Sequence, residues 1–273
     1  MSGVRAPAER VWFAACAALG WLLRSARYAT VRIDDEDRVR LVRKRRLAHA
    51  PLLIAMSRPL AAVLDTGVRV LPHREWVERE RQLHRCLRGA SVRVEADGTL
   101  VLPYLAGEPL AALLDDPALA ETERQQRAIA GAVEALAALH RRGITHGDAM
   151  ADNVIVDRAA GVSHWFDFET VHDARRPMAW RRADDLRALL TTVLARTAPG
   201  SRAATLQRML DAYGDEEVVR ELAASVAPVL RRPLAFHLGQ AALSYRDERA
   251  IARLVRERSE LRATSAAPGA PRA

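Results

Sequence analysis

Apolar and charged side chains alternate along residues 28–33 (YATVRI) and again along 39–45 (VRLVRKR), the period of strands with one face turned to a core. The acidic run between them, 34–37 (DDED), has the composition of a turn, so the stretch predicts a β-hairpin with its tip there. Helical spacing takes over at 52–64, stops at Gly67 and Pro72, and returns at 75–87 (EWVERERQLHRCL), where Trp76, Leu83 and Leu87 fall on one face. Two further strand-like runs, 91–95 and 99–105, meet at the turn Ala96-Asp97-Gly98. The first hundred residues therefore predict a small, mostly antiparallel sheet crossed by a helix.

Beyond Glu108 the spacing is that of long helices, at 110–114, 121–142, 182–196, 202–213, 216–230 and, with interruptions, 234–264. Two short strands, 154–156 and 163–168, on either side of a turn at 158–161, are the only predicted break. Pro103, Gly107 and Pro109 lie where the two styles meet, which makes 104–107 a hinge. The predicted class is α+β, with a sheet domain over 1–103, a helical domain over 108–262 and a disordered Pro-rich tail over 263–273. An N-terminal helix is predicted over the apolar run 11–23 (VWFAACAALGWLL), which is too short to span a bilayer. Its Trp12, Phe13 and Trp21, beside Arg24 and Arg27, also suit a peripheral contact with lipid headgroups.

The composition, 49% hydrophobic and 28% charged over 273 residues, is that of a globular chain with ample core. Only two cysteines, Cys16 and Cys86, point to a reducing compartment; the expected location is the cytoplasm, with the inner face of the membrane as the peripheral alternative. A formal charge of +8 predicts an anionic partner without choosing one. The chain lacks the aromatic and glycine pattern of an RNA-binding sheet, the paired Cys and His of a zinc finger and basic-region heptads, so specific nucleic-acid binding is not expected. Lys44 is the only lysine; every other cationic side chain that is always charged is arginine. A compact ammonium on a flexible stem does what a planar guanidinium cannot, so Lys44 is either a chemical necessity or a chance survivor of arginine drift.

Candidate chemistry concentrates in 145–157 (THGDAMADNVIVD) and in Asp167-Phe168-Glu169 after the second short strand. Phosphoryl transfer needs a carboxylate to orient the acceptor hydroxyl and oxygen ligands for magnesium. Asp148 and Asn153 are spaced for these roles, and Asp167 adds a second carboxylate.

This arrangement, HGDxxxxN followed by a hairpin and DFE, resembles the catalytic core of the protein-kinase-like superfamily, in particular the aminoglycoside phosphotransferases, lipopolysaccharide sugar kinases and RIO-like kinases. The resemblance implies a two-lobed fold, with a small antiparallel-sheet N-lobe carrying one helix and a larger, mainly helical C-lobe. It implies ATP with Mg²⁺, or Mn²⁺, and a hydroxyl acceptor that is a small molecule, a sugar or lipid-linked sugar, or a protein Ser/Thr. Asp148 would be the catalytic base, Asn153 and Asp167 the metal ligands, and His146 a structural organiser of its loop. Lys44 would grip the nucleotide phosphates, paired with Glu80, or with Glu75 or Glu78. Residues 100–110 (LVLPYLAGEPL) resemble the last N-lobe strand and hinge, which places Leu102 and Tyr104 at the adenine. Asp185 would brace the catalytic loop, with Asp184 as the alternative. Glu169 reads as a helix-start acid or a further metal contact, and Arg175, Arg176, Arg181 and Arg182 as a solvated link or an anion-holding group. No glycine-rich loop joins the first two strands, a departure that leaves a catalytically weak or inactive pseudokinase, a nucleotide-binding or partner-binding scaffold of the same fold, as the alternative function; no APE segment follows Glu169, which favours a compact acceptor site over a peptide-binding platform.

Overall fold

The structure, a computed structural model, describes residues 29–36, 39–63, 66–231 and 245–265; the run at 11–23 and the end of the tail at 266–273 lie outside them. In chain order the first elements are β1 (Ala29–Glu36), β2 (Val39–Arg46), α1 (Ala50–Val63), β3 (Val68–Val70), α2 (His73–Arg88), β4 (Arg93–Val94) and β5 (Leu100–Pro103). There follow β6 (Glu108–Pro109), α3 (Leu110–Asp115), α4 (Glu123–Arg141), a 3₁₀ turn (Ala151–Asn153), β7 (Val154–Asp157), β8 (Val162–Trp165) and β9 (Thr170–His172). The helices α5 (Met178–Ala195), α6 (Arg202–Tyr213), α7 (Glu216–Arg231) and α8 (Tyr245–Ser265) complete the described chain. The class is α+β, a small antiparallel sheet followed by a mostly helical remainder. Among the described residues no helix is long and apolar enough to cross a membrane.

The chain divides into two compact units: Met1–Ala106 with His146–Asp148 and Phe166–Arg175, and Gly107–Thr145 with Ala149–Trp165 and Arg176–Ala273. The division falls inside the 104–107 connector. Two segments that the sequence assigns to the helical half, one around His146 and Asp148 and one around Asp167, instead belong to the first unit. The cause is β9, which pairs antiparallel with β3, Val68 opposite His172 and Val70 opposite Thr170. Strands of two or three residues are too short for alternation to reveal them, and β3, β6 and β9 all escape a sequence reading for that reason.

In the first unit the sheet order is β1-β2-β5-β4, antiparallel throughout. Pairing of β1 with β2 runs unbroken from Ala29 opposite Arg46 to Glu36 opposite Val39, so Asp34, Asp35 and Glu36 are strand residues rather than a hairpin tip. Cross-strand arginines make this tenable: Arg43 lies 2.9 Å from Asp34, and Arg93 lies 3.0 Å from Glu36. Below the sheet, Trp76 of α2 packs with Leu71, Val92, Leu100 and Leu102 in the core of the unit. Helix α1 lies against β3 through Ala50 and Ile54, with Leu53 and Val70 beside them.

In the second unit β6, β7 and β8 form a three-stranded antiparallel sheet. Its entry depends on Gly107: φ is +118°, and a Cβ there would stand 2.3 Å from the Val156 carbonyl oxygen. Helix α4 starts at Glu123, two residues after the predicted start, because the Thr122 hydroxyl caps it by accepting the Gln125 N–H at 3.2 Å. Its Ile129, Val133 and Leu136 supply the buried stripe. Helix α5 begins at Met178, four residues before its predicted start, and α8 continues to Ser265, into the predicted tail.

Candidate functional site

Strand β2 delivers Lys44 to the interior of the first unit, where 5% of it remains exposed. Its ammonium is ion-paired with Asp167 and lies 5.2 Å from the ring centroid of Trp76. Burial works against this charge, but the carboxyls of Asp167, Glu80 and Glu169 together outweigh it and hold the Lys44 pKa above its ordinary value. The one lysine of the chain is thus a buried cation surrounded by acids.

Of the three glutamates proposed as its partner, Glu80 is the buried one, at 1% exposure, whereas Glu75 and Glu78 face solvent. Glu75 pairs with Arg69 at 2.9 Å. Helix geometry explains the choice: Glu80 follows Trp76 by one turn, on the face that also carries Leu83 and His84. The Trp76 indole N–H donates to Glu80 Oε1 at 3.3 Å. Burial raises the Glu80 pKa; Lys44 opposes the rise, and the backbone N–H of Phe168 also favours the ionised form. His84 Nε2 stands 3.5 Å from Glu80 Oε2, and burial lowers the His84 pKa to about 4, so the imidazole is neutral at pH 7.

Asp167 adopts a left-handed backbone with φ +65°, a conformation that costs a non-glycine residue roughly 1–2 kcal/mol. Such strain persists only where surroundings enforce it. Here the Lys44 ion pair and the flanking residues do so: Phe168 is fully buried, and the Glu169 carbonyl accepts the Leu71 N–H at 2.8 Å. Glu169 does not start a helix but precedes β9. Its carboxyl is buried 3.6 Å from Arg46, and Oε2 has no hydrogen-bond partner. Burial raises the Glu169 pKa, and repulsion from Asp167 adds to the rise. Sequence reasoning undervalued this acid; its signal was the two-residue spacing from Asp167.

His146 is completely buried, with its ring 4.7 Å from that of Phe168. Nδ1 accepts the Asp148 N–H at 3.3 Å, so Nε2 carries the proton and donates to the Phe166 carbonyl at 2.8 Å. One imidazole therefore joins the backbone of the HGD loop to the backbone just before Asp167. Between His146 and Asp148, Gly147 has φ +86°, and a Cβ would meet Thr170 at 3.0–3.1 Å. The half-buried Asp148 belongs to this same unit.

The remaining predicted residues sit as follows. Leu102, buried on β5, is opposite Val42, and Tyr104 lies under the Arg40 guanidinium at 5.2 Å. Register puts Val31, Lys44 and Leu100 in one cross-strand row and Ile33, Val42 and Leu102 in the next, all on one face of the sheet. Val31 and Ile33 are 62% and 58% exposed on that face, an apolar surface that the sequence reading did not single out.

In the second unit, Asn153 ends the 3₁₀ turn and is buried, its N–H donating to Met150 at 2.9 Å, while the Ala151 N–H donates to Thr192 of α5 at 3.0 Å. Asp185, buried on α5, meets His140 Nε2 at 3.1 Å, and His140 Nδ1 meets the Tyr213 hydroxyl at 2.6 Å. Asp184 pairs with Arg187. Of the arginine link, Arg175 forks onto Asp173, and Arg182 donates to the His140 carbonyl at 2.8 Å.

Among the described residues no three His, Cys, Asp or Glu side chains assemble into a metal cage. No protein-family model matches the chain, and no curated protein matches it.

Proposed function

We propose that the protein is a phosphotransferase of the protein-kinase-like type, moving the γ-phosphate of ATP, taken as its magnesium complex, to a hydroxyl acceptor. The observation that carries the reading is the buried group of the first unit: the single lysine, paired with Asp167 and backed by Glu80, beside a loop tied to it through His146. A buried ammonium that three carboxyls keep charged suits the gripping of phosphate oxygens. The apolar surface of Val31 and Ile33, continuous in register with Val42 and Leu102, suits the flat face of a base.

The donor set agrees with magnesium. The ion favours one or two carboxylates completed by phosphate oxygens and water over a full protein cage. Asp167 and Glu169 are crowded acids, and Glu169 Oε2 is buried without a hydrogen-bond donor, so a divalent cation would relieve both the repulsion and the orphaned oxygen. When bound, Mg²⁺ neutralises charge on the phosphates. Asp167 is the ligand that the buried cluster supports, and Asn153 keeps the ligand role that the resemblance gives it. Asp148 orients the acceptor hydroxyl and takes its proton, and His146 is a positioning residue that fixes the Asp148 backbone. The acceptor class stays open between small molecules, sugars or lipid-linked sugars, and protein Ser/Thr.

Two observations favour a second reading, an inactive scaffold: no glycine occurs between Ala29 and Arg46, and Lys44 and Asp167 neutralise one another directly. Thermal-shift titration separates the two readings. A phosphotransferase is stabilised by ATP with Mg²⁺, by about 2.7 kcal/mol at a hundredfold excess over Kd. The Asp148→Ala variant should keep that shift and lose transfer of labelled γ-phosphate into the protein, lipid and small-molecule fractions of a lysate. Absence of any nucleotide shift would leave the scaffold reading, and full activity of Asp148→Ala would remove the base.

A further inference from the structure

Successive turns of α2 carry Trp76, Glu80 and His84 on one buried face. A buried carboxylate is costly unless donors surround it. Glu80 Oε1 accepts the Trp76 indole N–H at 3.3 Å, and the Phe168 N–H also serves this carboxylate. Oε2 accepts no hydrogen bond; the group set against it is the His84 imidazole, whose Nε2 stands 3.5 Å away. The other ring nitrogen, Nδ1, is buried without a partner. Lys44 and Arg88 both favour a neutral imidazole and an ionised Glu80.

A neutral imidazole can meet Glu80 in two ways. With Glu80 protonated, the carboxyl O–H donates to a bare Nε2, and the ring proton lies on Nδ1, a buried N–H with no acceptor. With Glu80 ionised, Nε2 carries the proton and turns it to Oε2, and only a lone pair on Nδ1 goes unpaired. The second arrangement also keeps a negative charge beside Lys44. We propose that His84 is a positioning residue of the candidate site, its Nε2–H holding Glu80 ionised as a counterion of Lys44. The geometry stands alone, while its consequence for turnover rests on the phosphotransferase reading. With Glu80 ionised, Lys44 is shared between carboxylates, which leaves an N–H for a phosphate oxygen. With Glu80 neutral, the ammonium is drawn further onto Asp167, the carboxylate that magnesium needs.

Long-range ¹H–¹⁵N spectra of the full chain, labelled on its eight histidines, test the first part. The His84 signals, identified by their loss in His84→Gln, should show the Nε2–H tautomer and no change from about pH 6 to about pH 8. The Nδ1–H tautomer, or a charged ring, would overturn the proposal. Nucleotide titration and transfer of labelled γ-phosphate test the second part. His84→Leu fills the space without a donor and should lower ATP affinity and kcat/KM roughly tenfold, whereas His84→Gln, which keeps an N–H for Oε2, should return to within about threefold of the parent. A purely structural histidine would lower the melting temperature of both variants and leave affinity and kcat/KM unchanged, and that result too overturns the role. If the parent binds no nucleotide, the phosphotransferase reading fails, and the tautomer alone decides whether His84 holds Glu80.

Discussion

Lys44 stands where a second cation type would not serve, because its compact ammonium pairs with Asp167 while lying over the Trp76 ring. Removing it leaves Asp167, Glu80 and Glu169 without their shared counterion, and an uncompensated buried acid costs more than the pair contributes. Lys44→Met should therefore lower stability by about 3 kcal/mol, read as a fall in the denaturant midpoint. Lys44→Arg should not restore it, since the planar fork is larger and hydrogen-bonds differently; an arginine variant as stable as the parent would show that any cation suffices. Rarity made this residue legible in the sequence. Glu80 is the first choice among three glutamates in the sequence, because its spacing from Leu83 and Leu87 puts it on the apolar face, with Glu75 and Glu78 as the alternatives. Glu169 was harder to read, because an acid after a strand looks like the start of a helix until β9 is known.

At the scale of elements, long pieces were legible and short ones were not. The paired strands β1 and β2 and the six longest helices carry enough periods to declare themselves, whereas β3, β6 and β9 do not. Yet β3 and β9 decide which unit holds Asp167. The turns that admit these short strands are where substitutions should hurt most. Gly107→Ala would put a Cβ 2.3 Å from the Val156 carbonyl at φ +118°, and no side chain can yield there because the obstacle is backbone. Gly147→Ala meets Thr170 at 3.0–3.1 Å at φ +86°, a milder conflict costing roughly 1–3 kcal/mol. Melting curves should rank Gly107→Ala well below Gly147→Ala, and the reverse order would contradict the packing described for β6 and β7.

For the molecule as a whole, the pH response has a contributor outside the candidate site. Glu248 on α8 is buried with both carboxyl oxygens lacking hydrogen-bond partners. Burial raises its pKa to about 8, against the pull of Arg187 and with a push from Asp247. The folded chain thus keeps this proton up to about pH 8, while the unfolded chain gives it up near 4.5. Stability from this group is complete below 4.5 and is lost as pH climbs to about 8. Glu248→Gln, which cannot ionise, should melt higher than the parent above pH 8, with the difference shrinking toward pH 4.5; calorimetry finding a constant difference would refute the assignment. No sequence signal marked Glu248, because its burial depends on packing among helices far apart in the chain.

The membership of the first unit also bears on synthesis. Its sheet and α2 leave the ribosome early, but β9 and Asp167 belong to a stretch that ends at Arg175. A nascent chain halted after Ala106 would hold a lysine without its principal counterion and a strand without its neighbour. The unit consequently closes late, once translation has passed Arg175, and a chain cut at the connector would yield an open intermediate rather than an independent domain.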